Sequence, residues 1–381
     1  MTMAGNDRDR PASHQPQVVE LTSVPGYIVF DLPGAARSAG GTRLAPGVSA
    51  SEVGLLARAM TYKFAALRAE MGGAKAGIAA DPADGASRAD LMARYCAEIA
   101  PLAARGEFLT GPDMGTFEED FAPLRANRAA PSAITAVIDG MPFEDVLTGF
   151  GVAVAAQAAL APGSSASGDA WSGRRVAIEG FGKVGGGVAL EAVRRGGRVV
   201  AVSTIAGCVS DPAGLDVPRL LALRREHGDR CVRLYDGSAS GSGSAAPRER
   251  LFKVPAEVLV PGTRPGTIDA SVAAGLAPEV RIVAPAANAP YTARGVEVLR
   301  QRGILALPDF VTNAGAVIAY RSPVDATTGQ VLADVERRVS DMITEALDHP
   351  GGPYAGACVR AADFLRSWWG EPPPPPFAPE A

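Results

Sequence analysis

The sequence predicts an α/β protein of two domains, the second of them doubly wound. Three observations predict it. The chain has 381 residues, 47% hydrophobic and 20% charged, a globular balance with length for two sizeable cores. From Arg175 onward, strand-like and helix-like runs alternate, the mark of βαβ units and a parallel sheet. The strand-like run Arg175–Glu179 passes directly into Gly180-Phe-Gly182-Lys183-Val184-Gly185 and then into an apolar helical run with Val188, Leu190 and Val193.

The elements follow in order. Residues 1–16 read as a disordered tail. Val18 to Leu32 alternates loosely around Pro25 and Gly26 and predicts short strands. Ser49 is placed to cap a helix running to about Leu67. Residues 86–104 and 143–160 are helical in pattern, and a loop fills Leu160 to Trp171. Beyond the strand 175–179, the runs 198–203, 217–227, 258–260, 272–277, 282–284, 293–302 and 304–307 continue the alternation. Gly237–Ala246 is a Gly/Ser-rich flexible insertion. The expected domains are therefore 17–145 and 150–320, the second doubly wound. Helical residues 329–369 are expected to pack back onto the first domain, and residues 371–381 to form a mobile proline-rich tail.

Composition narrows the function classes. A net charge of −4 leaves no basic excess to neutralise phosphates, so neither nucleic acid nor an acidic membrane is an expected partner. Cys96, Cys208, Cys231 and Cys358 are far apart and lack CxxC spacing, so reduced thiols are expected rather than disulfides or zinc. His14, His227 and His349 sit in polar or terminal contexts, so no metal site or histidine triad is expected. The N-terminus is polar rather than a signal peptide, no apolar run reaches spanning length, and the cytoplasm is the expected location.

Lysine chemistry is the alternative. Lys63 lies in an apolar helical run with Met60, Tyr62, Phe64 and Leu67. Lys75 follows in a stretch read as a glycine-rich turn, with Gly72, Gly73 and Gly77 allowing close approach of backbone and ligand. Apolar surroundings lower the pKa of a lysine and make it usable as an acid or base. Taken alone, the same pair also reads as a snorkelling helix lysine and a loop lysine.

The glycine motif suits a dinucleotide. Gly180 makes the tight turn, Gly182 lets backbone approach the pyrophosphate at the helix N-terminus, and Gly185 permits close helix–strand packing. The next strand ends in Ser203-Thr204, where an NAD site usually has an acidic residue. Ser203, Thr204 and Lys183 can tolerate a 2′-phosphate, so NAD and NADP both stay open.

Eight blocks now stand in one order: Gly40-Gly41-Thr-Arg43, Met60–Lys63, Gly72–Gly77, Asp113-Met-Gly115-Thr116, Thr148–Val152, Gly180–Gly185, Ala287-Asn288-Ala-Pro290, and Pro308–Gly315. In this the chain resembles the glutamate/leucine/phenylalanine/valine dehydrogenases. The resemblance implies NAD(P)-dependent oxidative deamination of an L-amino acid to a 2-oxoacid and ammonia, the reverse reductive amination, and a homo-oligomer. It implies that Lys63 binds the substrate carboxylate, that Lys75 is the catalytic lysine, and that Asp113 moves protons to and from the amine. It places Gly40, Gly41, Asn313 and Val317 at the substrate, and Thr148, Ala287 and Asn288 near the nicotinamide and its ribose. Read locally, Asp113 also suits a helix N-cap, and Asn288 and Asn313 suit turns. Closure of the two domains over the substrate is expected.

The departures concern the side chain of the substrate. Glutamate-specific members carry a lysine directly before the Gly-Gly pair, where this chain has Ala39. They carry a small hydroxyl residue where this chain has Tyr320. Without the cation, a buried γ-carboxylate lacks its partner, so a neutral aliphatic or aromatic substrate is expected. Ala76, Lys183 and Ala316 are milder departures. An oxidoreductase acting on an unusual amino or imino acid, a glutamate dehydrogenase, and a non-catalytic nucleotide-binding protein are the alternatives.

Overall fold

The computed structural model describes residues 15–81, 85–124, 132–138, 140–161, 170–235 and 246–380. The expected N-terminal tail, the loop before Trp171 and the Gly/Ser insertion fall largely outside these residues. The described chain forms two units: 15–124 with 362–376, and 132–361 with 377–380.

The first unit is built on a mixed sheet. Its strands are β1 (Gln17–Glu20), β2 (Gly26–Phe30), β3 (Ser38–Ala39), β4 (Thr42–Leu44), β5 (Gly72–Ile78) and β6 (Phe108–Leu109). The order is β1-β2-β5-β3-β6, and β4 also pairs with β5. β3 and β4 thus run along the same side of β5, interrupted only by Gly40 and Gly41. Helix α1 (Ala50–Ala66) starts where the Ser49 side chain accepts from Glu52 N–H. Helix α2 (Gly85–Ala104) supplies Leu91, Met92, Tyr95 and Ile99 to a core shared with Ile28, Ala74, Ala76 and Ile78.

β5 corrects the sequence reading. Lys75 lies in a fully buried central strand, not in a turn. The glycines are there for packing rather than ligand approach. A Cβ on Gly73 would lie 2.0 Å from Ala57 O and 2.3 Å from Thr61 N, and one on Gly77 would lie 2.5 Å from Val53 Cγ2. Their absence lets α1 lie directly on the strand. Strand alternation then puts Lys75 on the α1 face, between the two glycines.

The second unit begins with the short hairpin β7 (Val137–Ile138) and β8 (Met141–Pro142), which leads into α3 (Phe143–Leu160). This moves the division of the chain upstream of the expected residue 145. The main sheet has the order β11-β10-β9-β12-β13-β14. Its strands are β9 (Arg175–Glu179), β10 (Arg198–Thr204), β11 (Gly207–Ser210), β12 (Val258–Pro261), β13 (Ile282–Val283) and β14 (Leu305–Ala306). All are parallel except β11, an antiparallel edge on β10. The chain therefore winds outward in both directions from β9, which is the doubly wound topology expected.

Helices α4 (Lys183–Arg194), α5 (Val217–His227), α6 (Cys231–Leu234), α7 (Ala270–Gly275), α8 (Ala293–Gln301), α9 (Asp309–Thr312), α10 (Gly315–Ala319), α11 (Thr328–Leu347) and α12 (Pro353–Trp368) complete the described chain. By length and composition α3 is apolar enough to cross a membrane, which departs from the expectation that no run qualifies. Most of it is buried, with α4 on one side and α11 on another. A Cβ on Gly149 would lie 2.5 Å from the Gly187 carbonyl carbon, so glycines set the α3–α4 crossing.

Two expectations about the C-terminus change. Helix α11 packs on α3, inside the second unit, and only residues 362–376 group with the first. The segment 371–380 is bonded rather than mobile. Pro373 O accepts from Tyr62 Oη at 2.6 Å and Pro374 O from Arg58 Nη1 at 3.0 Å. Phe377 stacks on Tyr354, and Ala378 N–H donates to Tyr291 O. Successive prolines lack N–H groups but present carbonyls, so donors on a neighbouring helix can hold them.

Candidate active site

Three segments of the first unit converge on one ion pair: β5 carries Lys75, the turn after β6 carries Asp113, and the Gly40–Gly41 break joins β3 to β4 beside them. Lys63 lies on α1, the helix that covers β5. Lys75 Nζ lies 2.7 Å from Asp113 Oδ2. Lys63 and Lys75 are only 5% and 4% exposed. Gly41 backs onto the pair: a Cβ there would lie 3.0 Å from Asp113 Cβ and 3.3 Å from Lys75 Nζ. A Cβ on Gly40 would strike Ala74 O at 1.7 Å. Both glycines are thus required by the same close approach. Ala39 sits just before them, paired with Gly73 and Leu109.

Asp113 is held by its turn and does not cap a helix. Its N–H donates to Thr116 Oγ1 at 2.9 Å, and Thr116 Oγ1 donates to Thr42 O at 2.8 Å. Gly115 closes the turn at φ 78°, where a Cβ would lie 2.0 Å from Leu44 O. Thr42 is anchored in turn by Tyr95 Oη and Thr110 Oγ1.

Arg43 also belongs to this cluster, a role not expected for it. Its Nε lies 3.5 Å from Asp113 Oδ2, and its Nη1 donates to Glu52 Oε1 at 2.6 Å. Its place in the Gly40–Arg43 block was the available signal. Burial alone would raise the Asp113 pKa, but the Lys75 ammonium and the Arg43 guanidinium outweigh it and hold the carboxyl well below its usual range. The arrangement is a partly buried carboxylate between two cations, kept ionised and able to accept hydrogen bonds from an incoming ammonium group.

The second unit assembles the other predicted residues in two places. The first is the glycine turn between β9 and α4. Gly180 takes φ 84°, and a Cβ on Gly185 would lie 1.9 Å from Gly180 O. Gly182 is the N-cap of α4, with no side-chain cap and nothing nearer than 3.9 Å to its missing Cβ. The three glycines thus divide into turn, open backbone and close packing. The uncapped helix N-terminus, free of side-chain obstruction, suits a pyrophosphate. Val184 lies in the first turn of α4. Lys183 interacts with Asp145 of α3. Ser203 O receives Gly180 N–H and Phe181 N–H, both at 3.0 Å, which ties the turn to β10.

The second place is the loop 285–289, clamped by α9. Asp309 Oδ2 accepts Ala289 N–H at 2.7 Å, and Ala289 takes φ 47°. Asn313 Nδ2 donates to Ala286 O, Ala287 O and Asn288 Oδ1. Asn313 therefore organises the loop that presents Asn288. Thr148 lies on α3, where Thr148 Oγ1 donates to Glu144 O at 3.3 Å. Val317 lies on α10, with Tyr320 just beyond it. Tyr320 Oη lies 3.3 Å from Glu144 Oε2.

Comparison with known proteins covers both units. Residues 20–127 match the Glu/Leu/Phe/Val dehydrogenase dimerisation domain, and residues 140–347 match the Glutamate/Leucine/Phenylalanine/Valine dehydrogenase model. The chain belongs to this family. It is an amino-acid dehydrogenase, an oxidoreductase that works with NAD or NADP.

Curated relatives include a glutamate dehydrogenase of Thermotoga maritima, 32% identical over 77% of this chain and 70% of that protein. Glutamate dehydrogenase A2 of Halobacterium salinarum is 31% identical over 81% of this chain and 74% of that protein. Among solved structures, a hetero-hexameric glutamate dehydrogenase from Thermus thermophilus in a Leu-bound form aligns with TM-score 0.75 and 28% identity, covering 90% and 84% of the two chains. An L-tryptophan dehydrogenase from Nostoc punctiforme shares the fold at TM-score 0.59 and 20% identity, over 93% and 96%. Among the described residues, no cluster of His, Cys, Asp and Glu could hold a metal, and all four cysteines are free and buried.

Proposed function

We propose that this chain deaminates a neutral L-amino acid, aliphatic or aromatic, to its 2-oxoacid and ammonia, and runs the reverse amination. The observation that carries this reading is Ala39. It stands two residues before Gly41, which faces the Lys75–Asp113 pair, and its methyl group offers no partner to a substrate γ-carboxylate. The reading includes a homo-oligomer, supported by the match to a dimerisation domain.

The roles follow from the chemistry of each group. Lys63 anchors the substrate α-carboxylate as a point charge. Asp113, kept ionised by its neighbours, accepts a hydrogen bond and then a proton from the substrate ammonium. It relays that proton to solvent water and returns to its ionised form. Lys75 stabilises negative charge at the oxygen as water adds to the imine carbon. When bound, the nicotinamide supplies the hydride acceptor. Arg43 keeps Asp113 ionised and oriented.

Glutamate is the second reading, favoured by the glutamate dehydrogenases named above. A panel of glutamate, leucine, valine, phenylalanine and tryptophan, each with NAD and NADP at alkaline pH, separates the two. A clear preference for glutamate would overturn the neutral-substrate reading. Ala39→Lys is expected to raise activity on glutamate relative to leucine. Lys75→Ala is expected to abolish turnover and leave cofactor binding intact.

A further inference from the structure

The strand β10 ends without the acidic residue that holds a ribose 2′-hydroxyl in NAD sites. Thr204 stands there, and its hydroxyl is already engaged. It donates to Asp229 O at 2.6 Å and accepts from Ala206 N–H at 3.1 Å. These bonds draw the segment after α5 onto the end of β10. That segment, 224–233, carries Arg224, Arg225, Arg230 and Arg233 against Glu226 and Asp229.

Two of these arginines are fixed at the strand end. Arg233 Nε donates to Ala206 O at 2.6 Å, which pins its guanidinium at the β10–β11 turn. Arg224 Nη1 pairs with Asp229 Oδ1 at 3.1 Å, while its Nη2 lies 3.9 Å from the missing Cβ of Gly182. One guanidinium therefore borders the pyrophosphate turn and the other the carbonyl of Ala206, two residues after Thr204. Ile205, next to Thr204, is 78% exposed, an apolar surface of the kind an adenine ring covers. Asp229, whose backbone carbonyl receives the Thr204 hydroxyl, has its carboxylate paired with Arg224. Lys183, which the sequence suggested for this task, interacts with Asp145 instead.

We propose that this chain selects NADP(H) over NAD(H), with Arg224 and Arg233 receiving the adenosine 2′-phosphate. The proposal rests on the dinucleotide site described above and narrows it. A 2′-phosphate is a dianion with three acceptor oxygens, and guanidinium groups match it with charge-assisted hydrogen bonds. A 2′-hydroxyl gains no such charge-assisted bonds, and the Asp229 carboxylate beside it already has its charge offset by Arg224.

The test is calorimetric titration of the full chain with 2′,5′-ADP and with 5′-AMP, then with NADPH and NADH. The 2′-phosphorylated ligand of each pair is expected to bind about 10- to 100-fold more tightly. Arg224→Ala and Arg233→Ala are each expected to remove most of that advantage and to weaken the 2′-phosphorylated ligand far more than its partner. Equal affinities in the unsubstituted protein, or tighter 5′-AMP and NADH, overturn the proposal. So does an arginine substitution that weakens both members of a pair alike. The comparison in the unsubstituted protein does not depend on any variant folding. Binding is read without an amino acid, so a wrong substrate assignment would leave the 2′-phosphate preference intact.

Discussion

At the scale of the residue, Asp113 concentrates the chemistry and the pH dependence. Its folded-state pKa is depressed, so the ion pair stabilises the fold above the ordinary carboxylate value of about 4. That stabilisation is lost as pH falls further, towards the folded-state value. Urea unfolding of Asp113→Asn beside the unsubstituted chain should show a stability gap that is constant near neutrality and narrows below about pH 4. A gap independent of pH would mean that the pair does not set the Asp113 charge. For turnover, Asp113→Asn is expected to lower kcat by roughly 10²- to 10⁴-fold, the usual contribution of a positioned acid–base group. Arg43→Gln should lower kcat/KM, and Arg43→Lys should restore part of it by keeping the charge. Lys63, Lys75 and Asp113 were legible because each sits in a block with a recognisable neighbourhood. Arg43 was not, because its role exists only once β4 and the Asp113 turn are side by side.

At the scale of the element, glycines decide more than propensity does. Helix α1 was legible because its start is written locally in Ser49 and its neighbours. Strand β5 was not, because Gly72-Gly-Ala-Lys-Ala-Gly77 has the composition of a turn. Only the cover of α1 makes it a strand. The Rossmann glycines were legible because strand, turn and helix follow one another within a few residues. Gly185→Ala is expected to destabilise the protein by about 1–3 kcal/mol, as overpacking does, and to weaken nucleotide binding. Gly329→Ala in α11 is the matching control, because nothing lies within 4 Å of its missing Cβ. It should be neutral or stabilising by up to about 1 kcal/mol. Thermal midpoints of the two variants check both, and equal losses would show that contact with Gly180 O is not the cause.

At the scale of the whole molecule, the doubly wound sheet was legible from alternation and the division of the chain only approximately. The proline-rich segment was misread because composition alone says nothing of its acceptors. Tyr62 and Arg58 supply the donors from a distant part of the chain. Tyr62→Phe removes one bond to Pro373 and should cost about 1 kcal/mol. Removing residues 371–381 should lower the thermal midpoint by more, since it takes away both carbonyl contacts and the Phe377–Tyr354 stack. An unchanged midpoint after that truncation would show that the segment adds nothing to stability.

The same segment gives the protein a chronology. Tyr62 and Pro373 are 311 residues apart. At common elongation rates, roughly 15–60 s separate their synthesis. Helix α1, with Lys63 beside Tyr62, is made long before the prolines that its outer bonds require. During that interval the unit that holds Lys63 and Lys75 is unfinished, and the ribosome completes the nucleotide-binding sheet first.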